Sequence, residues 1–137
     1  MKKLLFAIIA LMFFGCSSDS KDDHTTLTES DFVGKWKLTF KEGYGNDAGY
    51  IVYEFNKDGS GSATEFDNGG IDSQRVINKW YYDSDRGVII CTVVSKRDGH
   101  LYPMELLISE IQNKDNMKWI WVGEDNNQAY PVVRIAR

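Results

Sequence analysis

Few side chains in this 137-residue chain have the types and spacing to do chemistry. It holds two histidines, His24 in a polar N-terminal stretch and His100 in a turn-forming segment, so neither a histidine-based triad nor a multi-histidine zinc site has its donors. No glycine-rich loop opens a helix to cradle phosphate, and no paired-cysteine spacing suggests a metal. The acids gather in turns, as Asp58, Asp67, Asp83, Asp85 and Asp98 do, where a carboxylate bonds local backbone. Asp83-x-Asp85-x-Gly87 shares the opening of a calcium loop but lacks its later ligands and distal glutamate, so it reads as a turn. Acid–base work on a glycoside needs two carboxylates about 5–10 Å apart, one of them kept protonated by apolar surroundings. Glu54, Glu65 and Glu105 fall within strands, and each fits an outward face as readily as an inward one. Cys91 sits in the apolar run VIICTVV with no histidine or basic residue beside it, as a packed thiol does and an activated nucleophile does not. The expectation is a protein that is not an enzyme and uses no metal or cofactor.

The aromatic residues are the stronger signal. Tyr53, Phe55, Trp80, Tyr82, Tyr102, Trp119 and Trp121 are the candidate ligand-binding residues, their rings offering apolar surface with polar handles. With Trp36 and Phe40 they suit a small hydrophobic or amphipathic molecule. The same rings also suffice to fill a small barrel, so a filled interior and an open calyx both remain open at this point.

These residues are positioned by strands. In DFVGKWKLTF (31–40), Trp36, Leu38 and Phe40 alternate with Lys35, Lys37 and Thr39, the period of a half-buried strand. Further strands are expected over residues 49–56, 60–66, 75–82, 88–95, from 101 onward, 117–123 and 128–136, separated by turn-rich segments. In the fourth, Val76, Asn78 and Trp80 are expected to share a face. The fifth is apolar on both faces and is expected to be central or well covered. In the sixth, Tyr102, Met104, Leu106 and Ile108 face one way and Pro103 is expected at an edge or bulge. Ahead of the first strand, Thr28-Glu29-Ser30-Asp31 has the form of a capping box, enough for one helical turn that would place Phe32 in the core. Eight short strands with hairpin-length connections describe an antiparallel meander, and closing it into a barrel removes its exposed edges.

The N-terminus is organised differently. Lys2 and Lys3 precede an apolar run from Leu4 to Phe14, too short to span a ~30 Å hydrocarbon core comfortably and suited to a secretory signal. Gly15-Cys16 followed by SSDSKDD resembles the lipobox of bacterial lipoproteins, with Phe13 and Phe14 departing from its commonest pattern. The resemblance implies a signal peptide over residues 1–15 and Cys16 as the lipidated N-terminus, carrying acyl chains such as palmitate. Residues 17–26 contain no apolar side chain and read as a tether, so 16–27 are assigned to it and 28–137 to the domain. Lys21-Asp22-Asp23 resembles a short acidic signal that sends some Bacteroidetes lipoproteins to the outer face of the outer membrane.

Removing residues 1–15 takes away two lysines and no acid, leaving 14 basic against 20 acidic side chains. That surplus disfavours nucleic acid and anionic membrane surfaces, which need clustered cations. Roughly 110 residues make one domain with a real core.

Gly34-x-Trp36, the phrase FNKDGSG (55–61) and the strand spacing together resemble the small lipocalin-like lipoproteins of Bacteroidetes. The resemblance implies an all-β, eight-stranded antiparallel up-and-down barrel with one helical turn before its first strand. It also implies that a basic residue of the last strand covers the opening tryptophan, with Arg134 favoured over Arg137. Phe32, Gly34, Trp36 and Arg134 would then close one end, leaving ligands to the opposite mouth among Trp80, Tyr102 and Trp121. The expected function is a monomeric, non-catalytic, lipid-anchored envelope protein of the outer membrane, displayed on the surface rather than facing the periplasm, that binds a small hydrophobic or amphipathic ligand. The alternative is a filled-barrel module contacting another envelope protein, a glycan or a secreted enzyme.

Overall fold

The computed structural model describes residues 26–137. The expected signal peptide, Cys16 and nearly all of the tether lie outside the described residues. One helical turn, α1 (Glu29–Phe32), leads into β1 (Gly34–Lys41). There follow β2 (Gly49–Phe55), β3 (Gly61–Asp67), β4 (Gly70–Asp83), β5 (Val88–Val94), β6 (Leu101–Asn113), β7 (Asn116–Trp121) and β8 (Ala129–Ala136). Each strand pairs antiparallel with the next and β8 pairs with β1, so the sheet closes into an eight-stranded barrel with no free edge.

The two ends differ. α1 and the turns β2–β3, β4–β5 and β6–β7 lie at one end; the loops β1–β2, β3–β4, β5–β6 and β7–β8 surround the other. At the α1 end Phe32, Trp36, Phe55 and Trp119 are buried against one another, with Trp36 and Trp119 ring centroids 5.4 Å apart. Leu27, assigned to the tether from sequence, is 4% exposed and belongs to this core. α1 is fastened by the Thr28 N–H donating to Asp31 Oδ2 at 2.8 Å. Lys114 Nζ donates to the other oxygen of the same carboxylate at 2.9 Å. These bonds hold the Asp31 carboxyl below its ordinary range, against the opposing effect of burial.

Arg134 locks this end. Its guanidinium lies 4.2 Å from the centroid of the Trp36 ring. Nε donates to Asp115 Oδ1 at 2.6 Å, Nη1 to the Val33 carbonyl at 2.7 Å, and Nη2 to the Asp31 carbonyl. Trp36 is itself anchored through its indole N–H, which donates to the Phe32 carbonyl at 2.8 Å. Gly34 makes room for the arrangement: at φ 124° it adopts a backbone that other residues avoid, and a Cβ there would collide with the Ala136 carbonyl oxygen.

Two strand expectations are corrected. β4 begins at Gly70 rather than at Arg75, because Asn68 and Gly69, with φ of 51° and 81°, form a two-residue hairpin that pairs Asp67 with Gly70 at once. Val76, Asn78 and Trp80 do not share a face. A bulge between Ile77 and Lys79 inserts one residue, so Ile77 and Trp80 are buried while Val76 is 54% exposed. β5 is a central strand, paired on one side with β4 and on the other with β6, and its outward Ile90 and Val94 are half-buried among their strand neighbours. Pro103 lies upstream of Leu106, where pairing of β6 with β7 begins, so a residue lacking its N–H is tolerated on a locally one-sided stretch.

Replacing Arg134 with Ala is expected to destabilise the fold by about 2–4 kcal/mol, from the lost ring stacking and the carbonyls left without a donor. Arg134→Lys should recover less than half, since one ammonium cannot cover the ring and serve the separated carbonyls together. Urea unfolding reads both as lower midpoints at unchanged slope.

Candidate functional site

The mouth opposite α1 opens into a cavity of about 510 Å³, within the ~300–1,000 Å³ usual for small-molecule sites. Much of the inner wall is set by strand parity. Phe40 of β1 and Ile51 and Tyr53 of β2 lie on their inward faces, as do Trp121 of β7 and Tyr130 of β8. The cavity reaches the gap where β6 and β7 part, beside Tyr102, Pro103 and Met104.

A hydrogen bond between two rings sets the floor. Trp121 donates its indole N–H to the Tyr53 hydroxyl at 2.8 Å, and Tyr130 packs on Trp121 with ring centroids 4.8 Å apart. Tyr53 is 1% exposed. Burial pushes its phenol well above the ordinary range, reinforced by Cys91 and Glu65 and opposed by the Trp121 bond and by Arg75. A phenol held protonated keeps its O–H as a donor, and Trp121 occupies only one of its acceptor sites.

Besides Glu105 and the loop residue Glu124, which also border the cavity, two charged strand residues face the same space. Arg75 pairs with inward-facing Ala63 and precedes buried Ile77 by two residues, which places it on the inner face of β4. Glu65 lies on the inner face of β3 two residues from Ala63, and the Ser73 hydroxyl donates to its Oε2 at 3.1 Å. The other glutamates have different fates. Glu54 pairs outward with Lys35 at 3.7 Å, and Glu105, although beside the cavity, gives its carboxylate to Arg86 at 3.0 and 3.2 Å. The three therefore do not converge as an acid–base pair.

The structure divides the seven candidate aromatics. Tyr53, Tyr102 and Trp121 line the cavity. Phe55 and Trp119 are fully buried in the packed half. Trp80 stands there too: Phe55 lies 4.9 Å from its ring, and its indole N–H donates to the Asn56 carbonyl at 3.0 Å. Placing Trp80 at the mouth is thus corrected, because the β2–β3 turn that holds it is at the α1 end. Tyr82 packs on Phe32 at 4.6 Å, also at that end. Phe40, named with these rings from sequence, lines the cavity as well, whereas Arg75 and Tyr130 were not singled out as cavity residues from sequence. The signal for Arg75 was its spacing of two from Ile77, concealed by the bulge that follows.

The remaining candidates are quiet. Cys91 is a fully buried free thiol whose pKa is pushed up to about 12 by burial. His100 is exposed, 4.0 Å from Asp98, and His24 lies outside the described residues. Asp83 Oδ1 accepts the backbone N–H groups of Asp85 and Arg86, as a turn carboxylate does. No protein-family model, curated protein or solved structure matches the chain.

Tyr53 gives a pH test. Because its folded pKa is raised, its contribution is intact below the unfolded value near 10 and is lost as pH rises above that value. Tyr53→Phe should flatten the fall in stability above about pH 10 and remove one phenol from the last-ionising class in a phenolate absorbance titration. Cys91 should resist thiol reagents in the native state and react at a rate set by unfolding, which mass-detected labelling in denaturant measures.

Proposed function

We propose that this chain is a non-catalytic cell-envelope lipoprotein whose lipocalin-like, up-and-down barrel binds a small amphipathic molecule in its open mouth. Cys16 carries the lipid anchor, and the tether behind it holds the barrel at the outer membrane, displayed toward the surface. The observation that carries the binding role is the about 510 Å³ cavity with an aromatic floor, set against the tightly packed opposite half. A barrel filled from end to end would favour an interaction module instead. The chemistry of the wall suits binding rather than turnover. The Cys91 thiol lies outside the cavity lining with its pKa pushed up by burial, and the wall glutamates Glu65 and Glu105 are bonded to different partners, Ser73 and Arg86.

Native mass spectrometry of the protein purified from its own host tests the reading, with a non-covalent small-molecule adduct expected. An adduct-free protein that co-purifies with a second polypeptide would overturn ligand binding and favour the interaction module. Separately, Cys16→Ser should move the protein from the membrane to the soluble fraction, whereas unchanged retention would refute the anchor. Protease treatment of intact cells should cleave the barrel if it is displayed outward.

A further inference from the structure

We propose that the mouth selects a zwitterion, a molecule bearing a carboxylate and an ammonium on one carbon together with an aromatic or apolar body. This rests on the mouth being the ligand site and assigns the chemistry of the head group.

Three polar groups of the cavity with bonding capacity to spare point to it. Arg75 is the one basic residue on the cavity wall, and among the described residues its guanidinium has no hydrogen-bond or ion-pair partner. Every other inward or end-closing cation of the barrel is engaged: Arg134 by Asp115 and two carbonyls, Lys114 by Asp31. Glu65, on the neighbouring strand and diagonal to Arg75, faces the same cavity, and its bond is from the Ser73 hydroxyl rather than from Arg75. The Tyr53 hydroxyl, buried on the floor, accepts from Trp121 and has no acceptor for its own O–H among the described residues.

A guanidinium fork and a phenol O–H are donors that match a carboxylate, and charge-assisted bonds of this kind are the strong ones. An anion alone would meet Glu65, and a cation alone would meet Arg75. Opposite charges on one head group satisfy both and place donor against acceptor at each contact. Trp121, Tyr130 and Phe40 then offer ring faces for the body of the ligand.

Three probes that share a phenyl ring and a two-carbon link separate the possibilities in isothermal titration calorimetry on the full chain. Phenylalanine carries both charges, 3-phenylpropanoate the anion alone and phenethylamine the cation alone. Phenylalanine is expected to bind at least about tenfold tighter than either, the effect of one charge-assisted bond. Arg75→Gln should reduce phenylalanine to the affinity of phenethylamine, and Glu65→Gln should reduce it to that of 3-phenylpropanoate, with thermal midpoints near the parent value certifying both folds. Equal or tighter binding of a singly charged probe, failure of all three to bind, or an unchanged preference in either folded variant would overturn the inference. The wild-type series decides even where a variant fails to fold. An uncharged or purely anionic molecule in the native mass spectrum would overturn the zwitterion while leaving mouth binding intact; an empty mouth that ignores every probe would overturn both.

Discussion

The cation held over Trp36 is the interaction on which the barrel depends. A meander becomes a barrel only when its last strand finds its first, and the contact that fixes this meeting is between Arg134 of β8 and Trp36 of β1. An arginine side chain 8% exposed is costly unless its charge and donors are met. Here the carboxylate of Asp115, two carbonyls at the end of α1 and the face of an indole meet them. The bonds reach three separate segments: the entry to β1, the β6–β7 turn and β8. Closure, the position of α1 and the seat of the first tryptophan are thereby one coupled event. Gly34 belongs to the same event, because its missing Cβ is what lets β8 approach.

Packing around that lock accounts for the asymmetry of the interior. Four large rings, Phe32, Trp36, Phe55 and Trp119, fill the α1 end so completely that the Trp119 indole N–H is left without an oxygen or nitrogen partner. The Trp119 ring itself is packed among Phe32, Trp36, Tyr53 and Phe55, with ring centroids 5.4–6.4 Å apart. Toward the mouth the inward positions pass to Ala63, Glu65, Ser73 and Arg75 on β3 and β4, smaller or polar and unable to fill the same cross-section. The Tyr53–Trp121 bond marks the boundary between the two regimes.

Much of this was legible in the chain. Strict alternation in β1 and β2 gives their inner faces directly, and the capping sequence before Phe32 locates α1. Where the reading failed, a local feature had shifted the period. The bulge at Ile77–Lys79 turns a regular alternation into a misleading one, moving Ile77 inward and concealing Arg75. Asn68-Gly69 is a two-residue hairpin signal, but the polar IDSQ stretch after it lacks the hydrophobic pattern of a strand, so the long β4 was read as starting late. Trp80 was placed at the wrong end because parity tells which face a ring occupies and says nothing of its depth along the barrel. Depth is set by register, and register comes from turns and bulges distributed over all eight strands.

Two arginines make the final contrast. Arg134 and Arg75 both point inward from adjacent levels of chemistry: one has an acceptor for Nε and for each of its terminal nitrogens, and the other has none among the described residues. If stability alone shaped the inner face of β4, an apolar side chain at 75 would extend the core of Ile77 and Trp80 at no desolvation cost. Natural sequences break local consistency chiefly where something other than stability sets the residue. Apart from the Trp119 indole N–H, the closed end of this barrel obeys the rules of packing and hydrogen bonding, and the other departures gather at the mouth: a guanidinium without a partner among the described residues, an inward carboxylate and a phenol with a spare proton. Their coincidence around one cavity is harder to explain as three independent accidents than as one site.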